Sequence, residues 1–132
     1  MWRPHHRIQA LCVVGAMMQP AHAGAEPIPT AAGAVIAAVH RAAAAKDYEG
    51  LRRHMVAEFN WSFGGDASAE QAIAEWKKQP DYMRQLARVT KLKCTYLKDR
   101  YVECPAGAGT NFRAGFKAVA GQWRMEYFVA GD

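Results

Sequence analysis

Residues 112–129, FRAGFKAVAGQWRMEYFV, alternate apolar and polar side chains along two arms that meet at Ala120-Gly121. Strict alternation is the mark of strands that are dry on one side and wet on the other. Folded at that point, the arms place Phe112, Ala114, Phe116 and Ala118 on one face with Trp123, Met125, Tyr127 and Val129. The other face carries Arg113, Lys117, Gln122, Arg124 and Glu126, with Val119 and Phe128 as apolar exceptions. Burying a large apolar side chain is worth about 1.5–3 kcal/mol. Such a face must be covered, and the segments before it are predicted to supply the cover as helices.

The first segment does not belong to that cover. Residues 1–7 are basic, residues 8–18 are an apolar run, Gln19-Pro20 breaks it, and Ala21-His22-Ala23 is a small-x-small site. This order predicts a secretory signal peptide cleaved after Ala23, with a run too short to span a bilayer. The mature chain is then residues 24–132, with 24–29 a short linker and 30–132 one domain, exported to the periplasm or beyond. Losing Arg3 and Arg7 lowers the formal charge of +5 by two, and the remaining charges are mixed in sign. No basic stripe is left for a nucleic acid, and no further apolar run reaches membrane-spanning length. Cys12 leaves with the leader, and Leu11 before it makes a poor lipoprotein site. Cys94 and Cys104 remain, an even number that suits an oxidising compartment.

Thr30 is placed to cap a helix running to about residue 46, with Val35, Ile36, Val39, Ala42 and Ala43 as its apolar stripe. Asp47 caps a second, shorter helix whose stripe is Tyr48, Leu51, Met55 and Phe59. Residues 59–63, FNWSF, alternate as a short strand. Ser68 with Gln71 forms a capping box that opens a third helix, with Ile73 and Trp76 inward. Pro80 breaks it, and residues 81–91 resume with Tyr82, Met83, Leu86 and Val89 apolar. Residues 91–104 then form a hairpin. A turn centred on Asp99 pairs Cys94 with Cys104, Tyr96 with Val102 and Leu92 with Ala106. The register that aligns the apolar face therefore also opposes the two sulfurs, which predicts a disulfide. Residues 105–111 are a Gly-rich connection. The whole is α+β: N-terminal helices on one face of a curved antiparallel sheet, ending in a four-strand meander around a cone-shaped interior.

At this level the chain resembles the nuclear transport factor 2-like superfamily, which includes ketosteroid isomerase and the SnoaL-like polyketide cyclases. The resemblance lies in AAVHRAAAAKDYEGLRRHMVAEFNWSFGG, in SAEQAIAEWKK and in GQWRMEYFVAGD. It implies a cone-shaped, cystatin-like fold with a pocket. Isomerase-like members place a carboxylate base on the strand after the second helix, where this chain has Asn60-Trp61-Ser62. They also use a tyrosine in the first helix, where His40 is the polar residue near the stripe. The resemblance therefore implies the fold and a pocket without that chemistry.

Candidate chemistry is sparse. His54, beside Met55, is the weak catalytic candidate, as a base in an isomerase or lyase. His40 and His54 are the histidines outside the leader, and no HxxxH or CxxC spacing exists, so neither a metal site nor a cofactor is predicted. Gly64-Gly65-Asp66 reads as a turn and cap rather than a phosphate loop. The abundance of aromatics points instead to a small, largely apolar ligand, with Trp61, Trp76, Tyr96, Phe116 and Tyr127 as candidate walls. A second reading stays open: a protein-interaction or homodimer module using the exposed sheet, motivated by Phe128 and Val119.

Overall fold

The computed structural model describes Gly15 and residues 26–65, 67–97 and 100–131. The predicted leader apart from Gly15, with its cleavage site and Cys12, and also Asp66 and Asp99, lie outside the described residues. The chain forms one α+β domain. Helices α1 (Thr30–Ala45) and α2 (Tyr48–Arg52) precede strand β1 (Met55–Asn60). Helices α3 (Ala69–Lys78) and α4 (Asp81–Lys91) follow, then strands β2 (Thr95–Leu97), β3 (Tyr101–Cys104), β4 (Arg113–Val119) and β5 (Gln122–Val129). The sheet has five strands in the order β1-β5-β4-β3-β2.

Local chemistry sets most helix ends. The Asp47 side chain accepts a hydrogen bond from the Gly50 N–H at 3.0 Å, and Ser68 Oγ accepts from Gln71 N–H at 3.2 Å. Both relieve first-turn donors that a helix leaves orphaned. Pro29, not Thr30, stands at the start of α1, and no side chain caps it. Pro80 separates α3 from α4 as its missing donor requires. Ala32, Ile36, Val39, Ala42 and Ala43 of α1 and Met83, Leu86 and Val89 of α4 are buried. His40 ties these two helices. Its Nδ1 lies 2.8 Å from the Ala87 carbonyl oxygen, which can only accept, so Nδ1 is the donor.

The second helix is shorter than its apolar spacing predicts. It ends at Arg52, and Met55–Asn60 is a strand rather than its continuation. The predicted strand over 59–63 is accordingly shifted toward the N-terminus. Leu51, Met55 and Phe59 are all buried, but the last two reach the core from a strand. That strand lies parallel to β5, with Met55 opposite Met125 and Asn60 opposite Tyr127 and an irregularity between. The sheet is therefore mixed, not antiparallel. Tertiary pairing with β5 overrides a helical pattern that five residues of α2 alone could not sustain.

The β2–β3 register is the one the sequence predicts: Thr95 opposite Glu103, Tyr96 opposite Val102 and Leu97 opposite Tyr101. Cys94 and Cys104 are joined, with Cα atoms 4.3 Å apart. The ladder does not extend to Leu92 and Ala106. Leu92 instead terminates α4, and Ala106 N–H bonds the Lys93 carbonyl at 2.7 Å.

The C-terminal hairpin turns at Ala120-Gly121, both with positive φ (50° and 80°), as the type I′ two-residue hairpin turn requires. Its inner face differs from the prediction at one end. Phe116 faces Met125 and Ala118 faces Trp123, but Ala114 faces Phe128 and Gly115 faces Tyr127, with a register shift between Gly115 and Phe116. One extra residue in β5 reverses the alternation. Phe128, expected on the wet face, is buried at 2 % exposure, and Tyr127, expected inside, lies on the outer face. Val129, opposite Arg113, goes with Tyr127 and is still buried. The inversion seats Phe128 in an aromatic cluster. Its ring centroid is 5.8 Å from Trp76 and 5.5 Å from Phe112, and Phe59 meets Trp76 edge-on at 5.5 Å. Gly115 permits the outer half of this arrangement, because a β-carbon there would overlap the Tyr127 ring. Gly115→Ala should cost about 1–3 kcal/mol by overpacking. In a Tyr127→Ala background the same change should cost markedly less, as urea midpoints of the four-member cycle will read.

Candidate functional site

The interior between helices and sheet is packed. Trp76, Phe59, Phe116, Phe128, Met125 and Leu86 are each at most 2 % exposed. Space opens at the edge, where the start of α1 and the end of α4 meet the entry to β2. A cleft of about 820 Å³ lies there, walled by Ile28, Ile36, Leu92 and Tyr96, with Cys94 in its side. Glu26, Thr30, Lys93 and Thr95 supply its polar groups. Each wall has a local cause. Pro27 and Pro29 hold the approach to α1 extended, and Gly33 leaves the first turn of that helix without a side chain. The Cys94–Cys104 bond pins β2, a three-residue edge strand. Tyr96 is held by its inward neighbour Trp123, whose ring centroid is 6.4 Å away.

Of the aromatics singled out in the sequence, Tyr96 lines this cleft. Trp76 and Phe116 are buried in the core, at 1 % and 0 % exposure. Trp61 is half-buried against that core, and its indole N–H is buried with no acceptor among the described residues. Tyr127 is on the outer face, where its hydroxyl donates to a Glu103 carboxylate oxygen. Burial, then that bond and the Glu103 charge, push the phenol well above its ordinary value. The residues that complete the cleft wall, Ile28, Ile36 and Leu92, carry no signal that separates them in the sequence from ordinary core positions. Leu92 stands out only in the structure, as an apolar residue left 46 % exposed at the end of an amphipathic helix.

His54 sits between α2 and β1, and its carbonyl accepts from the Met125 N–H at 2.6 Å. The side chain borders a separate small hollow with Ala38, Arg41 and Arg53. Burial, then the neighbouring guanidiniums of Arg53, Arg124 and Arg41, hold the imidazole below its ordinary value. No carboxylate hydrogen-bonds it among the described residues. Nor do any three His, Cys, Asp or Glu side chains gather in metal-binding geometry among the described residues. No described helix is long and apolar enough to cross a membrane. The interaction reading loses Phe128, which is core, and keeps Val119, 44 % exposed beside the hairpin turn.

The fold and the cleft together define a single-domain α+β protein with one helical layer on a five-stranded mixed sheet and an apolar opening at the sheet's β2 edge. No family model matches the chain, no curated protein matches it, and no solved structure matches it.

Proposed function

We propose that this is an exported, non-catalytic domain of the nuclear transport factor 2-like kind, which binds a small, largely apolar ligand in the cleft between α1 and β2. One observation carries the reading: an apolar-walled opening of about 820 Å³ beside a core whose large side chains are fully buried. Ligand sites are typically about 300–1,000 Å³, mostly apolar, with a few polar groups that set orientation. Ile28, Ile36, Leu92 and Tyr96 supply the apolar wall, and Thr30, Thr95 and Lys93 supply donors at its edge. The order of helices before a four-strand meander supports the family reading.

The test is a thermal-shift series of straight-chain alcohols, indole and naphthol. A ligand at a hundredfold excess over its Kd should stabilise the protein by about 2.7 kcal/mol. Leu92→Glu places a carboxylate in the wall at a position already 46 % exposed, so it should leave the unliganded Tm nearly unchanged and abolish the shift. If no compound raises Tm, or if Leu92→Glu responds as the parent does, the proposal fails.

A further inference from the structure

A second cleft, of about 550 Å³, lies on the other side of Ala106 and is built differently. Its walls are the Gly-rich loop 105–111 apart from Gly109, with Arg88 of α4, Phe112 and Ala130. Arg88 is the one charged residue in that lining, and no carboxylate faces it there. Its Nε donates to Gln85 Oε1 at 3.0 Å, which leaves both terminal nitrogens without an acceptor among the described residues. Arg84, one turn earlier, is instead ion-paired with Asp81.

The loop is fastened as well as glycine-rich. Ala106 N–H bonds Lys93 O at 2.7 Å, Asn111 N–H bonds Ala108 O at 3.1 Å, and Gly131 N–H bonds Thr110 O at 2.7 Å. The Ala108 side chain is buried at 7 % exposure and anchors the middle. Between these ties, Gly107 and Gly109 have φ of 67° and 60°, with Ala108 between them on the ordinary side. Glycines of positive φ on both sides of a residue of negative φ give the alternation of hand from which backbone anion-binding concavities are built. The N–H groups of Gly107, Ala108, Gly109 and Thr110 bond no backbone carbonyl among the described residues.

We infer that the cleft between Arg88 and loop 105–111 binds the charged end of a small phosphate or sulfate ester, with Phe112 against the ester's flat apolar body. A tetrahedral oxyanion offers enough acceptors for a guanidinium fork and several backbone donors at once, whereas a carboxylate offers two oxygens. Because the loop is already tied in place, binding orders little further chain. This site is separate from the apolar cleft, and it stands whether or not that cleft holds a ligand.

Phenyl phosphate titrated at constant ionic strength, followed by amide resonances, should shift Gly107, Ala108, Gly109 and Thr110 together and saturably. Inorganic phosphate should bind the same residues more weakly, and benzoate more weakly still. Arg88→Gln should weaken phenyl phosphate by about tenfold or more, the scale of a charge-assisted hydrogen bond, while Arg84→Gln should leave it unchanged. Both side chains are exposed, so neither change threatens the fold. Phosphatidylglycerol vesicles should leave the loop resonances in place. No saturable shift, or equal losses in the two arginine variants, overturns the site. Equal binding of benzoate overturns the tetrahedral anion, equal binding of inorganic phosphate overturns the role of Phe112, and preferential capture by the vesicles overturns the soluble ligand.

Discussion

Trp76→Ala should lower the unfolding free energy by about 3–5 kcal/mol, the largest loss expected of a single substitution in this domain. Trp76 is 1 % exposed on the inner side of α3, between Phe59 of β1 and Phe128 of β5, with ring centroids 5.5 and 5.8 Å away. Removing the indole takes away transfer free energy and leaves a hole between a helix and two strands that are paired with each other. The parallel β1–β5 contact has an irregular register and cannot close the gap by sliding. Trp76→Phe should recover a good part of the loss, because an aromatic ring still fills the middle of the cluster. Urea unfolding followed by the fluorescence of Trp61 and Trp123 reads both variants. A loss below about 1 kcal/mol for the alanine variant would mean that the cluster is not clamped as the geometry requires. The same variant separates two readings of this tryptophan. As a core residue it leaves ligand binding at the Tyr96 cleft intact wherever the protein is folded; as a cavity wall it would remove binding with stability.

The places where pattern and structure agree are those in which one local rule acts alone. Symmetry about Asp99 sets the β2–β3 register, and the sulfurs of Cys94 and Cys104 follow from it. Pro80 separates α3 from α4 because a helix interior has no use for a residue without an N–H. The failures are places where two rules give the same letters. Leu51, Met55 and Phe59 are spaced as a helical stripe and equally as the inward side of an irregular strand, and only the presence of β5 alongside decides. Residues 122–127 alternate in the sequence and Phe128 breaks the pattern, and the register shift opposite Gly115 exchanges Tyr127 and Phe128. The one letter of the eight that marks the shift is Phe128, apolar at a position the alternation assigns to the wet face. The causes of the shift are a glycine on the neighbouring strand, which admits the Tyr127 ring, and Trp76, which receives Phe128. The apolar cleft was legible only through Tyr96, since its other walls come from α1, α4 and the approach to α1. Residues 105–111 read as a plain connection, because the fastening bonds to Lys93 and Gly131 come from outside the loop.

Replacing both Cys94 and Cys104 by alanine should cost about 2–3 kcal/mol, the closure entropy of a loop this short, for a sequence separation of 10. The loss should be localised before it is global. Strand β2 is three residues long, lies at the edge of the sheet, and pairs only with β3. Short edge strands sit at the low end of local stability. Without the cross-link, amide exchange at Thr95, Tyr96 and Leu97 should rise by more than at Phe116 or Met125, whose strands are paired on both sides. Cys104 is fully buried, and alanine is smaller than the half-cystine it replaces, so a cavity adds to the entropic loss. Reduction by a small thiol of the unmutated protein separates the two contributions, because it breaks the link and keeps the sulfur volume. The reduced protein should lose stability too, though less than the double variant. It should also bind apolar ligands more weakly, since Cys94, Thr95 and Tyr96 form one wall of the cleft. If reduction leaves the urea midpoint and the exchange of β2 unchanged, the ladder alone holds that edge, and the cleft's wall does not depend on the bridge.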